Sequence, residues 1–299
     1  MAKFDVVFAT DQKYAQHLGV ALYSLLRNNK EIEFDVYIIN GGIDNKEFNK
    51  LEKIALKFKC KLINIEIDDG ALASLVQNHH FTKANYYRLL IPEFIKNDKA
   101  LYLDADIVIN NSIKKLVNIN LDGYYVAAVE NPGFDRHQDL KMDIDSKYFN
   151  SGVMLINVKR WKEKDLQNQV LKFVEKNSTV IKFVDQCGLN AIINGNWKKI
   201  PLKFNQQAVI FEVEEFERKF DCYTNTELKE ARENPVIIHY TGSSKPWSFQ
   251  NKHPYKYLYW KYLRMTPYKW TIPEDLTILN ILKRIIPNKI KEPLKNHIK

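Results

Sequence analysis

Cysteine is scarce in this chain of 299 residues: Cys60, Cys187 and Cys222 stand far apart. An odd, scattered set excludes a disulfide framework and suits a reducing compartment, each thiol serving as a small buried hydrophobe. No apolar run reaches the roughly 20 residues of a membrane-spanning helix. The opening "MAKFDVVFAT" passes straight into a strand-like segment, so no secretory signal and a cytoplasmic location are expected. Neither G-x-x-x-x-G-K-[ST] nor G-x-G-x-x-G occurs, which removes the phosphate cradles of P-loop and dinucleotide folds. Internal repeats and low-complexity segments are lacking too.

What is present is an ordinary globular chain with an uneven charge. The apolar fraction of 45% and the length suit one large domain, or one domain with an appendage. The net charge is +9, yet residues 1–239 hold 33 basic and 33 acidic side chains. Residues 240–299 hold 12 basic and 3 acidic ones and so carry the whole excess. A nucleic-acid enzyme would line a groove with its basic residues and aromatics. Here the body is neutral and the excess is terminal, so no nucleic-acid partner is expected.

The spacing of apolar residues predicts strands alternating with helices. "FDVVFAT" (Phe4–Thr10), "FDVYIIN" (Phe34–Asn40) and "KLINIEI" (Lys61–Ile67) are predicted strands. Between them, residues 14–29 have helical spacing, and Asp44 with Glu47 forms a candidate capping box for a helix through Lys59. "KALYLDADIVI" (99–109) is predicted as the next strand, followed by "YYVAAVE", "SGVMLIN" and "VIIHYTG". One helix is predicted from Trp161 to Asn177 and another opening at Asp185. Such alternation implies a mostly parallel sheet flanked by helices, with ligands bound beyond the carboxyl ends of the strands. Asp11 and Asp104 fall at such ends.

Asp104 and Asp106 lie one residue apart in the hydrophobic "LYLDADIVIN". Two ionised carboxylates there repel each other and are costly to desolvate, unless a divalent cation offsets the cost and offers its open positions to phosphate oxygens. Aspartyl-phosphate phosphatases use the same letters with the first aspartate as nucleophile. They also need a later acidic pair, whereas the adjacent pair here, Asp68-Asp69, precedes the motif.

The sequence resembles glycosyltransferase family 8, the retaining, UDP-sugar-dependent enzymes with a D-x-D motif, and within it the bacterial lipopolysaccharide galactosyl- and glucosyltransferases. The resemblance spans roughly Phe4 to Trp247. It rests on "VVFATDQKY", "HHFTKANYYRLLIPEFI", "KALYLDADIVI", "YFNSGVMLINVKRW", "DQCGLNAI", "LKFNQQ" and "HYTGSSKPW" in family order. It implies a GT-A type α/β domain over residues 1–250 and a basic, aromatic and amphipathic region over 251–299. It implies a UDP-hexose donor and a saccharide acceptor that is lipid-linked, as in lipopolysaccharide. A protein-directed or self-glycosylating transferase of the same fold, and a binding protein without turnover, are the alternatives.

The resemblance also implies residue roles. Asp104, Asp106 and His239 match the metal ligands. Imidazole is the softer ligand, so Mn2+ is preferred and Mg2+ binds more weakly. Ala9, Thr10, Asp11 and Tyr14 match the base- and ribose-binding loop, with plain helix capping as the competing role of Asp11. Arg88, Ala105, Gly242 and Lys245 match positions along the diphosphate, Lys245 stabilising the leaving group. Glu130 and Asn150 match the sugar pocket, Asp185 and Gln186 the D-Q motif at the reacting carbon, and His80 the acceptor side. An amide is a poor nucleophile, so Gln186 favours same-face attack of the acceptor over a covalent intermediate.

In the tail, Ile278, Leu279, Ile281, Leu282, Ile285 and Ile286 share a helical face edged by Lys283 and Arg284. This basic amphipathic pattern is expected to lie on an anionic leaflet, at the inner face of the cell membrane, with docking on the body as the competing role. Tyr255, Tyr257, Tyr259, Trp260 and Tyr262 just upstream suit either an interfacial belt or core packing.

Overall fold

The first two strands, Phe4–Thr10 and Phe34–Asn40, are apolar on both faces, which only a sheet covered on both sides can accommodate. The structure, a computed structural model, describes residues 3–67, 83–211 and 222–285, without the side chains of 83–85 and 283–285. Strand β1 is Phe4–Thr10, β2 is Phe34–Asn40 and β3 is Lys61–Glu66. Helix α1 (Ala15–Asn28) joins β1 to β2, and α2 (Asn45–Lys57) joins β2 to β3. These three strands and β4 (Lys99–Leu103) run parallel. Next come β5 (Ile107–Ile109), β6 (Val126–Glu130) and β7 (Phe149–Asn157), with β7 antiparallel to both β4 and β6. With β8 (Lys198–Lys199) the main sheet has the order β3-β2-β1-β4-β7-β6-β8.

Alternation along the strands sorts the side chains into two layers. Val6, Phe8, Leu101 and Leu103 pack into one buried cluster with α1 and α2. Val7, Tyr102, Met154 and Ile156 face the other, beneath α3 (Val158–Glu163), α4 (Leu166–Lys176) and α5 (Val184–Ile193). A second sheet, of order β5-β10-β9, is built from β5, β9 (Gln206–Gln207) and β10 (Ile237–His239), with α6 (Asn225–Glu233) leading into β10. In Thr224 and Glu227, α6 has a full capping box.

Three elements differ from the sequence pattern. The expected strand over 99–109 is broken: β4 ends at Leu103, and β5 belongs to the other sheet, antiparallel to β10. The break falls on the Asp104-Ala105-Asp106 turn, where Asp104 N donates to Gly152 O and Tyr240 N donates to Asp106 O. The turn therefore joins the two sheets. The helix expected over 161–177 is two, because Asp165 adopts a left-handed φ of 47° after Trp161 anchors its indole to Tyr125 O. Asp44 does cap α2 by accepting from Glu47 N, but the Glu47 carboxylate turns to Lys50 at 2.6 Å rather than back to the cap.

The region beyond residue 250 has two parts. Helix α7 (Lys256–Leu263) packs along α1, and Leu258, Tyr259, Tyr262 and Leu263 join the same buried cluster as β1. Asn28 Nδ2 and Gln16 Nε2 donate to the hydroxyls of Tyr262 and Tyr259. For Tyr259 and Tyr262 the packing role holds, whereas Tyr257 is exposed. Helix α8 (Ile278–Ile285) leaves Ile278 and Leu279 78% and 69% exposed. Among the described residues no helix is long and apolar enough to cross a membrane.

The two parts predict different costs of truncation. Cutting after Thr277 removes no buried side chain of the described residues and leaves the urea midpoint nearly unchanged. Cutting after Gln250 removes five core side chains, Tyr268 among them, worth about 1.5–3 kcal/mol each, and should abolish the cooperative transition. Equal midpoints for the two truncated chains would contradict this packing.

Candidate active site

The two aspartates sit where β4 gives out, and two cations and an imidazole gather on them. Asp104 Oδ1 lies 3.1 Å from Arg88 Nη2 and accepts from the Tyr102 hydroxyl at 2.8 Å. Asp106 Oδ2 lies 2.5 Å from Lys245 Nζ, which also donates to Tyr240 O. His239, at the end of β10, holds Nε2 at 3.3 Å from Asp106 and 3.7 Å from Asp104. One donor atom from each of Asp104, Asp106 and His239 lies within 4.8 Å of the other two. Two carboxylates and an imidazole at that spacing fit one divalent cation. Burial pushes the Asp106 carboxyl up, but His239 and Lys245 outweigh it and hold the group ionised, well below the usual carboxylate range.

Gly152 makes the close approach possible. A Cβ built there would stand 2.3 Å from a His239 ring carbon and 2.6 Å from Asp104 Oδ2. Arg88 is the second node, and it is largely shielded, its side chain 12% exposed. Its Nη1 donates to Ser151 O and Oγ, its Nε lies 2.9 Å from Asp185, and its guanidinium covers the Tyr102 ring. Desolvation disfavours the Arg88 charge, but Asp104 and Asp185 more than restore it. Burial raises the Asp185 carboxyl, Arg88 opposes, and the net shift is upward.

A cleft of about 440 Å³ opens on this cluster. Asp104, Asp106, His239 and Lys245 line it, with Gly242 at a left-handed φ of 81°. Asn150 and Gln186 line it as well. The amide of Gln186 is held at both ends: Oε1 accepts from Ser151 N at 3.0 Å and Nε2 donates to the Tyr148 hydroxyl at 3.2 Å. Asp185, the neighbouring residue, points back to Arg88 and Ser151 behind the cleft. The loop bearing Lys245 is fixed by Trp247, which stacks on His17 at 3.5 Å. Burial depresses the His17 pKa to about 3, so that ring stays neutral.

The remaining expected residues are spread around this centre. Ala9 and Thr10 end β1, and Ala105 is buried between the two aspartates. Asp11 caps the turn that follows, its Oδ1 accepting from Lys13 N and Tyr14 N. Tyr14 lies edge-on to Trp247, near enough to feel the charges of Lys245 and Asp106. Glu130 takes its carboxylate to Lys199 at 2.8 Å, and the ladder with β7 shifts between Ala128 and Glu130, so that Asn131 lines the cleft instead. His80 lies outside the described residues. Asn131, Gln207, Thr241 and Phe183 line the cleft without having been singled out; Gln207 and Thr241 stand inside the quoted "LKFNQQ" and "HYTG".

Residues 5–251 match the model of a protein family described as glycosyl transferase family 8. The chain belongs to that family. Among family relatives, General stress protein A of Bacillus subtilis (strain 168) is 34% identical over 89% of this chain and 94% of its own length. Lipopolysaccharide 1,2-glucosyltransferase of Escherichia coli (strain K12) is 29% identical over 94% of this chain and 83% of its own. Lipopolysaccharide 1,3-galactosyltransferase of Salmonella typhimurium is 28% identical over 84% and 75%. The fold is that of the galactosyltransferase LgtC, solved in complex with donor and acceptor sugar analogues. It superposes with a TM-score of 0.78 over 91% of this chain and 98% of that one, at 24% identity. The GT-A type α/β domain expected from the resemblance is thus the observed one.

The tight seat at Gly152 carries a prediction for this family 8 site. Gly152→Ala should leave the far-UV circular dichroism unchanged, because the clash is with two side chains at the rim of the sheet. It should weaken divalent-cation binding at Asp104, Asp106 and His239 by about tenfold or more. An unaltered cation-binding isotherm for this variant would show that these side chains have room the geometry denies them.

Proposed function

We propose that this glycosyltransferase moves galactose or glucose from a UDP-sugar, with retention, to a saccharide acceptor of lipopolysaccharide or another cell-surface glycan. The observation that carries this reading is the meeting of Asp104, Asp106 and His239 beside the Lys245 ammonium, in one cleft with Gln186. The glucosyl- and galactosyltransferase relatives support the sugar and acceptor class. Asp104, Asp106 and His239 would hold Mn2+ in preference to Mg2+, and such a cation supplies Lewis-acid polarisation of a diphosphate. Lys245, already beside Asp106, is placed to share its charge with the leaving UDP, a contribution worth about a hundredfold in rate. Ala9, Thr10, Asp11 and Tyr14 would receive the base and ribose, and Asn150 the hexose.

Retention then follows from what faces the anomeric carbon. A covalent route needs a free nucleophile on the far face. The Gln186 carbonyl is a weak nucleophile and is already engaged by Ser151 N. Same-face attack by the acceptor, with a phosphate oxygen taking its proton, is favoured on that ground.

Incubation with UDP-sugars and Mn2+ tests the reading. UDP release should vanish with EDTA and with Asp106→Asn, and the product from an α-linked donor should be α-linked by proton NMR. Self-labelling of the chain would point to the protein-directed alternative, binding without release to a non-catalytic one, and a β-linked product would remove the assignment.

The tail reading belongs to the same proposal. The exposed Ile278, Leu279, Ile281 and Leu282 support attachment to an anionic leaflet on the cytoplasmic side. The chain cut after Thr277 should keep hydrolysing the donor and pellet less with anionic vesicles, high salt mimicking the cut in part. If both forms pellet equally, the tail has no such role.

A further inference from the structure

Asn205 is wholly buried, just before β9, and is not part of the cleft wall. Its bonds fix the proton positions along a chain that ends at a metal ligand. The chain starts from a group of known polarity. Gly152 N–H can only donate, and it donates to Asn150 Oδ1 at 3.0 Å. The same oxygen accepts from Asn205 Nδ2 at 2.9 Å. With its amino end committed there, Asn205 turns its Oδ1 to His239 Nδ1, also at 2.9 Å. An amide oxygen accepts only, so the proton of this bond sits on Nδ1. A neutral imidazole protonated at Nδ1 has its lone pair at Nε2. That nitrogen is the one that faces Asp106 and Asp104 at 3.3 and 3.7 Å. A lone pair set against two carboxylates is repulsive, and a cation among the three atoms turns the repulsion into coordination.

We propose that Asn205 is the positioning residue of the metal site: it selects the Nδ1–H tautomer and the ring orientation of His239, so that Nε2 is presented to a divalent cation together with Asp104 and Asp106. Asn150 fixes which way Asn205 points and takes its own orientation from the Gly152 backbone. The proposal rests on the reading of those three residues as metal ligands. It assigns a role to the asparagine of "LKFNQQ", which no contact with substrate explains.

Two variants separate positioning from mere packing. Asn205→Leu keeps the volume and removes the acceptor. Asn205→Asp keeps an acceptor for Nδ1–H while losing the donor to Asn150. Mn2+ binding followed by electron paramagnetic resonance should weaken about ten- to a hundredfold for the leucine variant and stay within about threefold of the parent chain for the aspartate variant. Equal losses in both, tracking their melting temperatures, would reduce Asn205 to packing and overturn the proposal. A parent chain that binds no Mn2+ would overturn the ligand set itself, and the role of Asn205 with it. A measurement on the parent protein needs no variant to fold: long-range nitrogen–proton correlation spectra at mildly alkaline pH should show His239 protonated at Nδ1. An Nε2–H tautomer there would refute the proposal whatever the variants do.

Discussion

Two carboxylates one residue apart, at the end of a buried strand, are the constraint on which this molecule is organised. Neither can be neutralised by water alone, so partners must come from elsewhere in the chain. They come from three separate stretches: Arg88 arrives on the 3-10 segment before β4, His239 on β10 and Lys245 on the loop after it. A fourth, α5, supplies Asp185, which balances Arg88. The main sheet supplies Asp104 and the second sheet supplies His239, so closing the site and joining the sheets are one event. Gly152 is the space that lets the two sheets meet.

The parallel half of the sheet was legible, because its first two strands are apolar on both faces and bounded by turn residues. Phe4–Thr10 and Phe34–Asn40 occur with the bounds the pattern predicts. The break between β4 and β5 was not legible, since Ile107, Val108 and Ile109 are as apolar as the residues before the aspartates. Hydrophobic period reports burial and not which sheet does the burying. The same holds for Trp161 to Asn177, where a left-handed Asp165 interrupts a helical pattern that continues unbroken in the sequence.

The three side chains that could hold a cation were named by the family motifs, but the groups bonded behind them were not. Asn205 and Ser151 act through bonds to groups distant in sequence, and no spacing rule reaches that far. Glu130 and Asn131 differ by one residue, and the irregular ladder between β6 and β7 decides which of them meets the cleft. The aromatic run after residue 250 had two readings of equal composition. Only packing against α1 assigns Tyr259 and Tyr262 to the core, while the apolar face of α8 keeps its exposure.

The D-Q pair shows how a single motif divides its work. Asp185 and Gln186 are consecutive on α5; both accept from Ser151 Oγ at 3.3 Å, and beyond that shared contact they part. Asp185 faces inward, where Arg88 ties it to Asp104 and so to the charge balance of the site. Gln186 faces the cleft, with its amide clamped between Ser151 N and Tyr148. A carboxylate at the position of Gln186 would add a third anion near Asp104 and Asp185, which already share Arg88. A neutral amide there keeps a polar surface for a sugar without disturbing that balance. The charge balance of the aspartates thus reaches as far as Gln186 in the cleft lining.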